Sequence, residues 1–100
     1  MLTSKQRAFL RGIAANEDTI IHIGKSGITD NVIKQVEDAL KAREIVKGRV
    51  LENSLMTARE ACEDLARLCL AEPVQTIGSK FVLYKENRQI DKEKRIKLCK

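Results

Sequence analysis

Apolar residues recur along the chain with two periods. Phe9, Leu10 and Ile13 follow helical spacing behind Thr3 or Ser4, either of which can cap, with Leu2 placed to staple the helix entry. Lys5, Arg7 and Arg11 fall mainly on the other side. Thr19-Ile20-Ile21-His22-Ile23 is β-branched and bounded by acidic residues and glycine, so it predicts a short buried strand running into Gly24-Lys25-Ser26-Gly27. Thr29 or Asp30 then opens a second helix, with Val32, Ile33, Val36, Ala39 and Leu40 at the 3.6-residue period and an end near Arg43.

The run from Glu44 to Leu51 predicts a second strand with Lys47 and Arg49 on one face, weakened or bulged at Gly48. Thr57-Ala58-Arg59-Glu60 has the form of a capping box and opens a third helix with Ala61, Leu65, Leu68 and Cys69 toward the core. Val74–Ile77 and Lys80–Tyr84 read as two strands joined by a tight turn at Gly78-Ser79. The expected fold class is therefore α/β: one compact domain ordered α-β-α-β-α-β-β, its four-stranded mixed sheet packed by helices and its early strands parallel. The domain is expected to span residues 1–85. Residues 86–100 lack a sustained apolar period and are expected to form a charged, mobile tail.

At 100 residues and 43% hydrophobic content, the chain has material for one core. No apolar run approaches the ~20 residues of a membrane span, and the N-terminus enters an amphipathic pattern directly, so a cytoplasmic, soluble protein is expected. Cys62, Cys69 and Cys99 form no C-x-x-C pair and His22 is the sole histidine, so neither a disulfide framework nor a metal site is expected. Cys62 and Cys69, seven apart on a helix, read as buried apolar groups. The net charge of +5 points to a polyanionic partner more by its distribution than by its size. Local balances are +3 over residues 1–50, −1 over 51–85 and +3 over 86–100.

A strand ending in G-x-x-G before a helix sets backbone N–H groups and a positive helix end beside an unobstructed gap. A phosphate can enter there, with Lys25 and Ser26 adding a charge and a hydroxyl. Taken alone, the motif is read equally well as a plain strand-to-helix turn. The basic residues around it, Arg7, Arg11 and Lys34 among them, favour the binding reading. Gly24-Lys25-Ser26 also repeats the end of the phosphate-binding loop G-x-x-x-x-G-K-[ST], but the first glycine of that motif falls on Thr19. No carboxylate pair or nucleophile–base arrangement is visible, and His22 reads as a satisfied strand histidine, so no catalysis, cofactor or small-molecule substrate is expected. Phe9, Phe81 and Tyr84 are the only aromatics and fit core or sheet positions, which disfavours base stacking and favours contact with backbone and shape. A protein-interaction adaptor and a nonspecific DNA binder remain open as alternatives.

The chain resembles the CRM domain, named for chloroplast RNA splicing and ribosome maturation, in its single-domain bacterial YhbY-like form. The resemblance runs through Leu2-Thr3-Ser4-Lys5-Gln6-Arg7, Leu10-Arg11, Ile23–Thr29, Arg43–Lys47, Val74–Gly78 and Val82–Lys85. Departures fall at Ile45-Val46-Lys47-Gly48 and at Lys85. The resemblance implies a fold similar to the C-terminal domain of translation initiation factor three, and binding of ribosomal RNA in precursors of the large subunit. It places the RNA surface at Gly24, Lys25, Ser26 and Gly27. Arg7, Arg11 and Lys34 are added from charge placement, and a monomer is expected.

Overall fold

Three threonines set where the helices begin. In a computed structural model of the protein, which describes residues 2–87 and residue 96, Thr3, Thr29 and Thr57 each accept a backbone N–H three residues on. They open α1 (Ser4–Ala14), α2 (Asp30–Arg43) and α3 (Ala58–Cys69). At α1 and α3 the box is reciprocal: Gln6 Oε1 accepts from the Thr3 N–H at 3.0 Å and Glu60 Oε1 from the Thr57 N–H at 3.1 Å. Among the described residues no helix is long and apolar enough to cross a membrane.

Four strands alternate with these helices: β1 (Ile21–Ile23), β2 (Ile45–Val50), β3 (Glu72–Ile77) and β4 (Lys80–Tyr84). They form one mixed sheet in the order β1-β2-β4-β3, with β1 parallel to β2 and the other neighbours antiparallel. The α/β class, the element order and the parallel first pair agree with the sequence pattern. Gly78 has φ 57° and Ser79 a negative φ, the pattern of a type II′ hairpin turn.

The sheet is covered on both faces. α2 packs on β1 and β2 and α3 on β2, β4 and β3, burying Ile21, Ile23, Val36, Val46, Leu65, Phe81 and Leu83 between them. On the opposite face α1 lies over β3, β4 and β2, with Leu10 and Ala14 against Ile45, Val74, Val82 and Tyr84. β2 and β4 therefore send alternate residues to two different cores.

Several details differ from the pattern-based expectation. Phe9 is 42% and Leu68 46% exposed, because each lies at the margin of its helix's buried stripe, not at its centre. β1 begins only at Ile21, where Gly48 first stands opposite, and Ile20 is left 46% exposed. Glu44 is not a strand residue: it ends α2 in the left-handed region at φ 65°, its N–H donating to the Leu40 carbonyl and its own carbonyl accepting from Lys85. Gly48 makes no bulge, since the register of β2 against β4 is regular from Ile45↔Tyr84 to Arg49↔Lys80. The irregularity falls instead between Pro73 and Gln75 on the edge strand β3, where proline offers no N–H to the ladder.

What Gly48 provides is space. A Cβ there would lie 2.3 Å from Phe81 Cζ and 2.7 Å from Cε2, because the fully buried ring rests on the glycine backbone. Of the expected mobile tail, only Glu86, Asn87 and Ile96 fall among the described residues; the rest lies outside them. The N–H groups of Asn87 and Ile96 both donate at 2.8 Å to the carboxylate of Glu44, which is 1% exposed, and Ile96 packs against the α1-side core.

Gly48→Ala is expected to destabilise the protein by about 1–3 kcal/mol, the usual range for overpacking. Phe81→Leu added to that background should recover part of the loss, read by urea unfolding. A Gly48→Ala protein as stable as the parent would mean that the ring does not need the glycine.

Candidate nucleic-acid interface

The loop Gly24-Lys25-Ser26-Gly27 leaves the carboxyl end of β1 and enters α2. Among the described residues its one backbone bond runs from the Gly27 N–H to the Gly24 carbonyl at 3.1 Å. With φ negative at Lys25 and Ser26 and +69° at Gly27, the chain makes a type I turn followed by one left-handed residue. Lys25 and Ser26 sit exposed at the tip. Thr29 caps α2 and Asp30 lies in its first turn, so the pull of that helix end on an anion is reduced by one carboxylate.

The two glycines differ in what they require. Gly27 needs its freedom because a side chain at φ +69° is strained. Gly24 has ordinary φ, and a Cβ there would meet Asn53 Oδ1 at 3.6 Å and Leu51 Cδ1 at 3.8 Å, which is normal contact. The 51–56 connection thus backs the loop, with Met56 Sδ 3.6 Å from the Cβ position of Gly27.

The other cations picked from the sequence do not gather into one patch with the loop. Arg11 is exposed on α1, on one side of the sheet; Lys34 is exposed on α2, on the other. Arg7 shares the sheet-facing side of α1 with Leu10 and Ala14. It is half-buried, and its Nε is enclosed without a hydrogen-bond partner, so its stem serves packing as much as display. The loop stands between these two layers at the end of the sheet.

The structure adds cations that the residue choice omitted. β2 directs Lys47 and Arg49 to the α1 face, as the alternation implies, and Lys80 stands directly opposite Arg49 on β4. His22 is aligned with Arg49 on β1 and is exposed, with no hydrogen-bond partner among the described residues, not the satisfied strand histidine expected. Lys47 Nζ donates to the Ala14 carbonyl at 3.3 Å and so caps the negative end of α1. Arg11, Lys47 and Lys80 line a groove of about 490 Å³ between α1 and the sheet, with Gln75 and Ile77 on its far wall.

Charge pairing differs among the exposed cations. Arg43 pairs with Glu17, Arg59 with Glu63 and Arg67 with Asp64, each at 3.3 Å. Among the described residues none of Arg11, Lys25, Lys34, Arg49 or Lys80 has such a partner. Nor do any three of His, Cys, Asp and Glu gather there as a metal ion would need. Burial pushes the Cys62 thiol up, with Glu63 adding to the rise and a hydrogen bond with Thr76 opposing it. Cys69 is raised for the same first reason, with Glu37 adding and Lys85 opposing. Both thiols therefore stay protonated and serve as small packing groups.

Comparison with known proteins places this geometry among relatives. The sequence profile of the CRS1/YhbY (CRM) domain matches residues 2–85. "Probable RNA-binding protein YqeI" of Bacillus subtilis is 44% identical over 89 residues, covering 89% of this chain and 93% of the relative. An "RNA-binding protein" of Haemophilus influenzae is 32% identical over 88 residues, covering 88% and 89%. The solution structure of a Staphylococcus aureus protein described as a candidate RNA-binding protein superposes with a TM-score of 0.80 at 44% identity, covering 99% of this chain and 100% of that one.

Alanine at the two loop glycines should separate their roles. Gly27→Ala is expected to cost about 1–2 kcal/mol through left-handed backbone strain. Gly24→Ala should change stability by less than about 0.5 kcal/mol, as for an unstrained surface site. Thermal unfolding of the two variants measures both, and equal losses would contradict the assignment.

Proposed function

This chain belongs to the CRS1/YhbY (CRM) domain family, and from that premise we propose that it is a non-enzymatic RNA-binding protein. It holds the sugar-phosphate backbone of structured RNA through the Gly24–Gly27 loop and the unpaired basic residues beside it. Its partner is ribosomal RNA in precursors of the large subunit, met by a monomer in the cytoplasm. RNA binding follows the names its relatives carry, and the ribosomal partner follows the family.

The observation that carries the reading is the combination at the loop. Lys25 and Ser26 project from a tip where their amides have no backbone acceptor among the described residues, and the lysine has no carboxylate partner there. Gly24 lacks a side chain although the fold has room for one. That space lets a phosphate approach the backbone, whereas a purely structural turn would require only Gly27. Catalysis has no comparable support: His22 stands on open sheet, and both described thiols are packed and protonated.

Affinity for a large-subunit ribosomal RNA transcript should fall steeply as salt rises, each phosphate contact adding about −0.7 to −0.9 to the log-log slope. An affinity indifferent to salt would remove the proposal. Lys25→Glu should weaken binding by on the order of 1 kcal/mol or more while thermal unfolding hardly changes, since the side chain is exposed. In sedimentation of cell extracts the protein should travel with immature large-subunit particles; recovery solely in free pools would leave RNA binding standing without the assembly role.

A further inference from the structure

On the α1 face of the sheet, one rung crosses all four strands as His22, Arg49, Lys80 and Ile77. Neighbouring strands lie ~4.8 Å apart, so the three polar members span about 10 Å. α1 covers the sheet further down, where Leu10 and Ala14 meet Val74, Val82 and Tyr84, while the rung itself is exposed at every position. Ile77 is 63% exposed at its end.

As structure alone, this arrangement is unfavourable. Arg49 and Lys80 are directly opposed across antiparallel strands, and like charges in that relation destabilise a sheet. Arg11 and Lys47 line the adjoining groove with Lys80, and Lys47 alone has its ammonium engaged, by the Ala14 carbonyl. Glu52 is the nearest acidic group along the chain, lining a neighbouring cleft with Arg49, yet it makes no ion pair with it. Some cations elsewhere are paired, as Arg59 is with Glu63 and Arg67 with Asp64. A polyanion laid across the rung would supply the missing counter-charge.

We infer that the rung His22–Arg49–Lys80, walled by Arg11, is a second backbone-binding site for the same RNA that the loop holds. The inference rests on the RNA-binding reading and extends it. His22 lies two residues before Gly24, so the rung and the loop adjoin at the β1 edge. An RNA strand leaving Lys25 turns over that edge past the His22 ring, a hydrogen-bonding group, and sets successive phosphates against Arg49 and then Lys80. Arg49 can grip a phosphate with two parallel N–H donors, and Lys80 meets the next as a point charge. The rung carries no Phe, Tyr or Trp, so it offers no extended platform for stacked bases and its contacts go to the backbone.

The test uses the full chain with Arg49→Gln, Lys80→Gln, the double variant and Lys80→Arg, measured against a large-subunit ribosomal RNA transcript over a salt series. Each neutralised contact is expected to weaken binding about three- to tenfold at low salt and to flatten the log-log slope by about 0.7 to 0.9. Lys80→Arg should keep parental affinity. Thermal unfolding of Lys80→Gln should be unchanged or raised, because a like-charge pair has been removed, and a purely structural lysine would give the opposite result. If Lys25→Glu weakens binding while Arg49→Gln and Lys80→Gln keep the parental affinity and slope, the second site is overturned and the loop reading stands. If the parent shows no salt-dependent RNA binding, both fall together. Unchanged RNA affinity with weakened binding to polyglutamate would assign the rung to an acidic polypeptide and overturn the inference.

Discussion

The seating of the Phe81 ring on the backbone of Gly48 is the contact on which the rest of the structure depends. β2 is the pivot of the sheet, parallel to β1 on one side and antiparallel to β4 on the other. A buried ring that tolerates no Cβ beneath it fits one register of β4 against β2, and a slip of one residue would turn every side chain to the wrong face. That register stacks Val46, Phe81 and Leu83 beneath α2 and α3, and in the same stroke sets Arg49 opposite Lys80. The apolar core and the placement of cations are two results of one steric constraint.

The end of α2 is held differently, by a carboxylate. Burying Glu44 would be costly if the group were left bare, and it has no cation beside it among the described residues. Two backbone N–H groups, from Asn87 and Ile96, supply what water would have given. Because the same residue ends α2 in the left-handed region and its carbonyl accepts from Lys85, helix end, strand end and C-terminal segment meet at one position. The chain accepts backbone strain in a non-glycine residue there because all three attachments hold it in place.

How much of this could be read from the sequence follows from the range of each interaction. The helix starts were legible because a cap and its partner lie three residues apart, as at Thr57 and Glu60. The Gly78-Ser79 hairpin was legible for the same reason. Gly48 was misread as a weak point because the ring that needs it lies 33 positions further on, and no local pattern announces a long-range contact. Glu44 reads locally as the start of a strand, whereas it ends α2 and its buried carboxylate answers to partners more than 40 residues away. At the candidate interface, Lys25 followed from its motif, whereas Lys80 gained meaning only once register set it opposite Arg49. Arg7 shows the converse: charge placement selected it, and the face of α1 on which it lies draws half of it into packing.

Gly24 and Gly27 look alike in the sequence yet answer to different demands. The backbone at Gly27 is held in a region that L side chains rarely adopt, so the fold itself favours glycine there, whatever the protein binds. Gly24 has neither the unusual dihedral nor the crowded neighbours that would compel it. If the loop binds as proposed, a descendant that lost its polyanionic partner would drift at 24 sooner than at 27, leaving a trace of the lost activity in one glycine of the pair.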